Sequence, residues 1–428
     1  MRTNFCLLIA VLGAARLLPG APDTPFRAPT AAGEGVVRPT QDEKSAPDWA
    51  VVPPRGGRLE SLEGTRVLYL EGSIEERGFA EGYLLGPEIV ECFGEFALGH
   101  VVGGRPKLWD LLVRPGIRTR FEFDGETRRW AAAVIVGMEL AAGGGVELEA
   151  LGRAMDADDI LACAAIPDLA GFLCSSVAAW GERTTSGDVL VARNLDYPST
   201  PAIERHSLVE VHAPIETEGG ERRAGWIGVG WPGTAGCLTA MSDRGVFVAI
   251  HDVDVSGERS QGKATPRVMA LQALVERLEP SPTLPEEAAK ALREHQYAMG
   301  GNCMLAWQGR RDGDAGSRGA VVLELGIDQS LDAGVSMRSP EEGQPFITCS
   351  NHFRLRSQVD HDCARFTTLF EGARAEPMSE ERAWKLIDDA GMSITLYRCV
   401  ANLGTGQLGV QRHTEDGWQT IEPFQAWQ

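Results

Sequence analysis

Cys174-Ser175-Ser176-Val177-Ala178-Ala179-Trp180 is a short run of β type, and Val189-Leu190-Val191-Ala192-Arg193 is another. Between them Thr184-Thr185-Ser186-Gly187-Asp188 supplies turn chemistry, so the pair reads as a hairpin. The return strand ends in Arg193-Asn194-Leu195-Asp196-Tyr197, and the hairpin carries that end back beside Cys174. A guanidinium and a carboxylate then flank a thiol, and a nearby cation favours thiolate, the reactive form. The bland alternative is a buried packing cysteine and a surface ion pair at a strand end. What distinguishes Cys174 is its place at a change of texture, where a helical region gives way to strands.

Upstream, Arg66-Val67-Leu68-Tyr69-Leu70 reads as a strand. Ile74 to Leu98 has helical apolar spacing broken around Gly86-Pro87, and Arg128 to Leu140 and Asp156 to Ala165 read as helices, the last capped by Asp156. Downstream, strands are expected at Leu208–His212, Ala224–Val229, Val246–His251, Cys303–Trp307, Ala320–Leu325, Thr395–Val400 and Gln407–Gln411. Helices are expected at Pro266–Leu278, at Thr283–Met299 with a Thr283/Glu286 capping box, and at Ser379–Ala390. Strand runs with grouped helices predict an α+β fold, two sheets covered by helices.

The chain has 428 residues, 41 basic and 60 acidic side chains, and a net charge of −19. A nucleic-acid binder needs a basic footprint to neutralise phosphates, and no Lys/Arg cluster here supplies one. Nucleic acid and stable membrane insertion are therefore not expected. Nine cysteines are scattered without the CxxC spacing of zinc or redox sites. Met1-Arg2 followed by the apolar run Phe5 to Ala15 is too short to span a bilayer and fits a bacterial-style secretory signal over 1–20, hence an exported protein. Residues 21–55 are rich in Pro, Gly, Ala and charge and read as a disordered linker.

The stretch Cys174-Ser-Ser-Val-Ala-Ala-Trp-Gly with Arg193-Asn-Leu-Asp-Tyr-Pro resembles the nucleophile region of the penicillin acyltransferase family, relatives of the choloylglycine hydrolases among the cysteine N-terminal-nucleophile hydrolases. The resemblance continues in chain order. Gly233-Thr-Ala-Gly-Cys-Leu-Thr-Ala-Met241 with Ser-Asp-Arg-Gly245 is similar to the family's glycine-rich strand pair, and Thr348-Cys-Ser-Asn351-His352-Phe353 to its Thr-Asn-His segment. Cys363-Ala-Arg365-Phe366 and the stretch from Thr395-Leu-Tyr to Leu408-Gly-Val resemble its later motifs, and Gly82-Tyr-Leu-Leu-Gly-Pro-Glu88 resembles the leader of bacterial and phospholipase-B-like members.

The resemblance implies a four-layer αββα sandwich over 174–428, preceded by a mostly helical leader at 56–173 that stays associated or is removed. It implies that Cys174 attacks the carbonyl of Leu173 and becomes a new N-terminus, placing nucleophile and amine base on one residue. Arg193 would stabilise the thiolate, Asp196 orient the α-amine, Asn351 donate to the oxyanion, and Arg365 hold the charge network together. The family's oxyanion Asn after the second glycine-rich strand is replaced by His251, which reads either as an oxyanion donor or as a strand-end residue bonded to Asp252. The implied reaction is hydrolysis or acyl transfer at a linear, non-peptide amide of a small-molecule substrate, with no cofactor and no metal. Two alternatives stay open: a phospholipase-B-like esterase, and a non-catalytic exported binding protein that has lost self-cleavage, which Leu173 in place of the family's frequent Gly would permit. Ser175 and Ser176 lack a Gly-x-Ser-x-Gly elbow, His352 and His361 lack metal-ligand spacing, and Gly143 to Gly145 reads as a plain loop.

Overall fold

The computed structural model describes residues 47–424, apart from 218, 255–261, 310–316, 328–333, 357–362 and 415–416. The signal-like run, most of the linker, and His361 with its flanking Asp360 and Asp362 lie outside the described residues. In chain order the strands are β1 (Gly57–Leu62), β2 (Thr65–Leu70), β3 (Glu147–Leu148), β4 (Arg153–Ala154), β5 (Leu173–Ala179), β6 (Leu190–Asp196), β7 (Leu208–His212), β8 (Ile215–Glu216) and β9 (Arg222–Arg223). They continue as β10 (Trp226–Gly230), β11 (Thr239–Ser242), β12 (Val246–Val253), β13 (Gly300–Gln308), β14 (Arg318–Leu325), β15 (Val335–Arg338), β16 (Phe346–Cys349), β17 (Thr395–Asn402), β18 (Gln407–Thr414) and β19 (Gly417–Phe424).

Two sheets carry the fold. One has nine strands in the order β1-β2-β7-β10-β11-β12-β13-β14-β15, and the other has six in the order β16-β5-β6-β17-β18-β19. Their facing side chains form one core, in which Cys174, Ala178, Val191 and Leu195 meet Ile227, Phe247, Ala249 and Met304. Side chains alternate along a strand, so Val177, Ala179, Leu190 and Ala192 point the other way, onto helices Ala364–Ala375 and Glu380–Asp389. Helices Ile74–Cys92, Gly125–Ala142, Arg267–Arg277 and Leu284–Arg293 pack with the nine-stranded sheet. The result is a four-layer αββα sandwich.

The upstream segment is helix-rich, but it does not stop short of the sheets. β2 pairs in parallel with β7, so the β1–β2 hairpin extends the nine-stranded sheet. The sequence reading, which confined the sandwich to 174–428, is corrected here. Strand β2 is apolar on both sides, with Val67 entering the inter-sheet core and Leu68 and Leu70 the helix-covered core. Helices Ile74–Cys92 and Gly125–Ala142 approach too closely for side chains between them. A Cβ on Gly82 would lie 2.0 Å from the Val134 carbonyl oxygen, and one on Gly137 would lie 2.2 Å from that of Phe79. The expected break near Gly86-Pro87 is a kink at Leu85, with φ −127° and ψ 16°. The expected Thr283 capping box is not formed: Thr283 Oγ1 donates to Glu287 instead, and that helix ends at Arg293 rather than running on to Met299.

Candidate active site

The hairpin β5–β6 is in the register Leu173↔Asp196, Cys174↔Leu195 and Ser176↔Arg193. Strand alternation therefore splits the expected trio. Cys174 and Arg193 face the inter-sheet core, while Asp196 turns to the helix-covered side with Arg365. Arg193 Nη2 donates to Cys174 Sγ at 3.3 Å and to the Ile250 carbonyl at 2.8 Å, and Nη1 donates to Thr239 Oγ1 and the Tyr397 hydroxyl. These partners fix a fully buried guanidinium on the sulfur.

The backbone of residue 174 is gripped separately. Its N–H donates to Asn351 Oδ1 at 2.7 Å, and its carbonyl accepts from Arg365 Nη1 at 2.7 Å. Arg365 also donates to Asp196 Oδ2 at 3.2 Å and, through Nη2, to Asn351 Oδ1 at 2.9 Å. Asp196 Oδ1 accepts from Thr395 Oγ1 at 2.6 Å. Asp196 thus acts on residue 174 through Arg365. Burial raises its carboxyl above the ordinary range, against Thr395 and Arg365, which lower it.

The residues just before Cys174 are clamped too. Phe172 N–H donates to Asp252 Oδ2, and the Phe172 carbonyl accepts from Asn351 Nδ2 at 2.9 Å. The second Nδ2 hydrogen goes to the Asp252 carbonyl at 2.8 Å. Asp252 pairs with Arg267 at 2.8 Å, and Arg267 with Asp168 at 2.7 Å, all three buried. Burial pushes the Asp252 carboxyl up to about 6, with Arg267 and the Phe172 N–H opposing. The Phe172 ring packs 4.6 Å from the Tyr197 ring and lines an apolar cavity of about 60 Å³ together with Phe96, Ile203, Trp231 and Leu238. By volume that holds only a few waters.

The structure corrects two expectations. First, burial pushes the Cys174 thiol up to about 12 although Arg193 lowers it, so here it is protonated rather than thiolate. Second, His251 joins neither the backbone grip nor Asp252. Its Nε2 lies 2.6 Å from Ser176 Oγ and its Nδ1 3.3 Å from the Asn302 carbonyl oxygen. Burial, then Arg193, pushes its pKa well below normal, leaving it neutral. Consecutive residues of β12 face opposite ways, so His251 turns to Ser176 while Asp252 reaches Phe172. The chain thus brings Cys174, Arg193, Asp196, Asn351 and Arg365 together and sets His251 apart. Asp252, Arg267, Thr239, Thr395 and Tyr397 were not singled out from sequence. For Asp252 a signal existed, since strand alternation makes either His251 or its neighbour the residue that reaches the segment before Cys174.

Fold and site together define a four-layer sandwich with a cysteine opening an inner strand, its sulfur and its backbone each held by an arginine. No family model matches the chain, and no curated protein matches it. Three solved structures to which it is similar are a Caenorhabditis elegans N-acylethanolamine-hydrolyzing acid amidase ortholog, a conjugated bile acid hydrolase variant from Clostridium perfringens, and penicillin V acylase from Agrobacterium tumefaciens. Identities are 15%, 11% and 15%, and TM-scores 0.37, 0.38 and 0.39. The matches cover 54%, 58% and 56% of this chain and 93%, 92% and 83% of the respective structures.

Proposed function

We propose that this chain is a self-processing cysteine N-terminal-nucleophile hydrolase that cleaves a linear, non-peptide amide through an acyl-Cys174 intermediate. The observation that carries the reading is the double grip on residue 174: Arg193 on the sulfur, and Asn351 with Arg365 on its backbone N–H and carbonyl. A cysteine serving only to fill space needs neither.

In self-cleavage Sγ attacks the Leu173 carbonyl carbon, and the C–N bond to Cys174 breaks as its nitrogen takes a proton. Water then hydrolyses the thioester, leaving a carboxylate on Leu173 and an α-amine on Cys174. Such an amine titrates near pH 8, where a general base works well. It takes the thiol proton as Sγ attacks the substrate amide and returns it to the departing amine. Arg193 steadies the thiolate. Asn351 Nδ2, spent on the Phe172 carbonyl in the uncut chain, becomes free to donate to the oxyanion, a contact whose loss costs roughly a hundredfold or more. The acyl group takes the place that the Phe172 ring vacates, together with the small apolar cavity beside it, and passes from sulfur to water or, in a transferase, to an acceptor amine. Export and retention of the 56–173 segment beside the catalytic block belong to the same proposal.

Intact-mass spectrometry of wild type and Cys174→Ala tests it. Two chains from wild type, the second beginning at Cys174, with the variant uncut, are expected. An uncut wild type whose Cys174 no thiol reagent labels would favour the non-catalytic binding protein, and turnover of esters but not amides the esterase.

A further inference from the structure

We propose that the groove between β15, β16 and helix Ala364–Ala375 binds a monocarboxylate with an aromatic or apolar body, at a site separate from Cys174. The groove is a cavity of about 710 Å³. Thr348, on its floor, belongs to the face of β16 opposite the one carrying Ile347 and Cys349, which enter the inter-sheet core with Cys174. Cys174 is not among the residues that line this cavity.

Its inner end carries a guanidinium whose Nε makes no hydrogen bond and whose counter-charge stands off from it. Arg338 Nη2 donates to the Thr348 carbonyl at 2.6 Å, while Nε is buried with no hydrogen-bond partner. The carboxylate facing it is Glu324, whose Oε1 lies 3.8 Å from Nε. Glu324 is already taken by the backbone N–H groups of Arg354, Leu355 and Arg356. A buried cation is costly unless paired and hydrogen-bonded, so this position favours an incoming anion. Beside it Thr348, only 2% exposed, keeps Oγ1 without a partner, and a hydroxyl can donate to a carboxylate.

The rest of the wall sets the body of the ligand. Phe346 and Phe370 pack with ring centroids 5.4 Å apart, and Phe366 stacks on Phe370 at 6.1 Å and 10°. Arg354 lies over the Phe366 ring at 4.9 Å, and Glu341 and Glu371 stand exposed at the rim. Rim carboxylates disfavour a second negative charge, which limits the ligand to one anionic head at the Arg338 end and an uncharged tail on the phenylalanines. Helix Ala364–Ala375 also carries Arg365, so an occupant packs against the element that holds the grip on residue 174.

Fluorine NMR titration of 4-fluorophenylacetate into the full-length protein, with and without Cys174→Ala, tests the site. Saturable binding is expected in both. Arg338→Gln should weaken it more than about tenfold, as loss of a charge-assisted hydrogen bond does. Thr348→Val, which keeps the volume should Arg338→Gln fail to fold, should weaken it about three- to tenfold. The neutral 4-fluorophenylacetamide should bind at least about tenfold more weakly than the acid. Unchanged affinity in Thr348→Val and any folded Arg338 variant, equal binding of the amide, or no binding to folded protein would each overturn the proposal.

Discussion

Glu81→Gln should change how stability depends on pH, in a direction the structure specifies. Glu81 is 4% exposed, on helix Ile74–Cys92, and its Oε1 accepts the Gly233 N–H at 2.8 Å. From β7 it faces Glu210 and His212, and Arg77 lies one turn back on its own helix. Helix Gly125–Ala142 adds Glu126 and Trp130, β9 adds Arg223, and helix Arg267–Arg277 adds Glu276 and Arg277. Burial raises the Glu81 carboxyl from 4.5 to about 7, against the Gly233 N–H and Trp130. Glu210 is pushed well above its ordinary range by burial and then by Glu81, while His212 is pushed well below by burial and stays neutral.

For a raised carboxyl the folded state prefers the protonated form. The stability tied to it is full below the unfolded value of 4.5 and is lost as pH climbs to about 7. At about 1.4 kcal/mol per pK unit, Glu81 alone accounts for roughly 3 kcal/mol across that window. Glutamine carries no charge to bury. Urea unfolding at about pH 4.5 and about pH 8 should show wild type losing roughly 3 kcal/mol more than Glu81→Gln between the two conditions. Glu210→Gln should flatten the profile in the same direction. If the three profiles run parallel, the carboxyl pair does not titrate in this window and the argument fails.

Three further outcomes follow from named contacts. Asp252→Ala removes the acceptor of the Phe172 N–H and should slow self-cleavage about a hundredfold, the usual cost of losing register at a reacting bond; a time course of intact mass reads it, and wild-type kinetics in a folded variant would remove Asp252 from the clamp. Gly82→Val places a side chain against the Val134 carbonyl and should cost several kcal/mol by overpacking, seen as a lower urea midpoint. Ser176→Ala and His251→Ala should show a coupling of about 1 kcal/mol in a double-mutant cycle while leaving self-cleavage within about threefold of wild type; a loss comparable to that of Asn351→Ala would return His251 to the catalytic group.

The hairpin and the sandwich were legible because their signals are local. Turn residues at Thr184 to Asp188 between two short runs of β type specify two strands whatever surrounds them. The short strands β15 and β16, with no period to read, were missed, as was the eight-residue β19 beyond an expected final strand at Gln407–Gln411. The pairing of β2 with β7 joins positions about 140 residues apart through tertiary burial, which no window of sequence contains. Five site residues could be named because they sit in short motifs. Their division of labour could not, since it depends on which face of β6 each occupies and on the helix that carries Arg365. Asp252 was passed over for His251 by one position, and in a strand one position reverses the face.

That division has a consequence for the order of events. In the uncut chain Asn351 Nδ2 is committed to the Phe172 carbonyl, Asp252 to the Phe172 N–H, and the Tyr197 ring to the Phe172 ring. The thiol, pushed up to about 12 by burial, is protonated. Departure of the 171–173 segment would release the amide donor, the carboxylate and the apolar cavity at once, and rehydrate the sulfur under Arg193. The same bond scission creates the α-amine. On the proposed self-cleavage, activation needs no separate opening step, and a thiol-directed reagent should label Cys174 only after cleavage. Phe172→Ala separates the two effects. It should admit the reagent to uncut protein by vacating the ring's place, yet keep both backbone hydrogen bonds and so still cleave. If Phe172→Ala cleaves normally but the uncut form stays unlabelled, the ring does not guard the thiol, and burial by the sheets alone accounts for its latency.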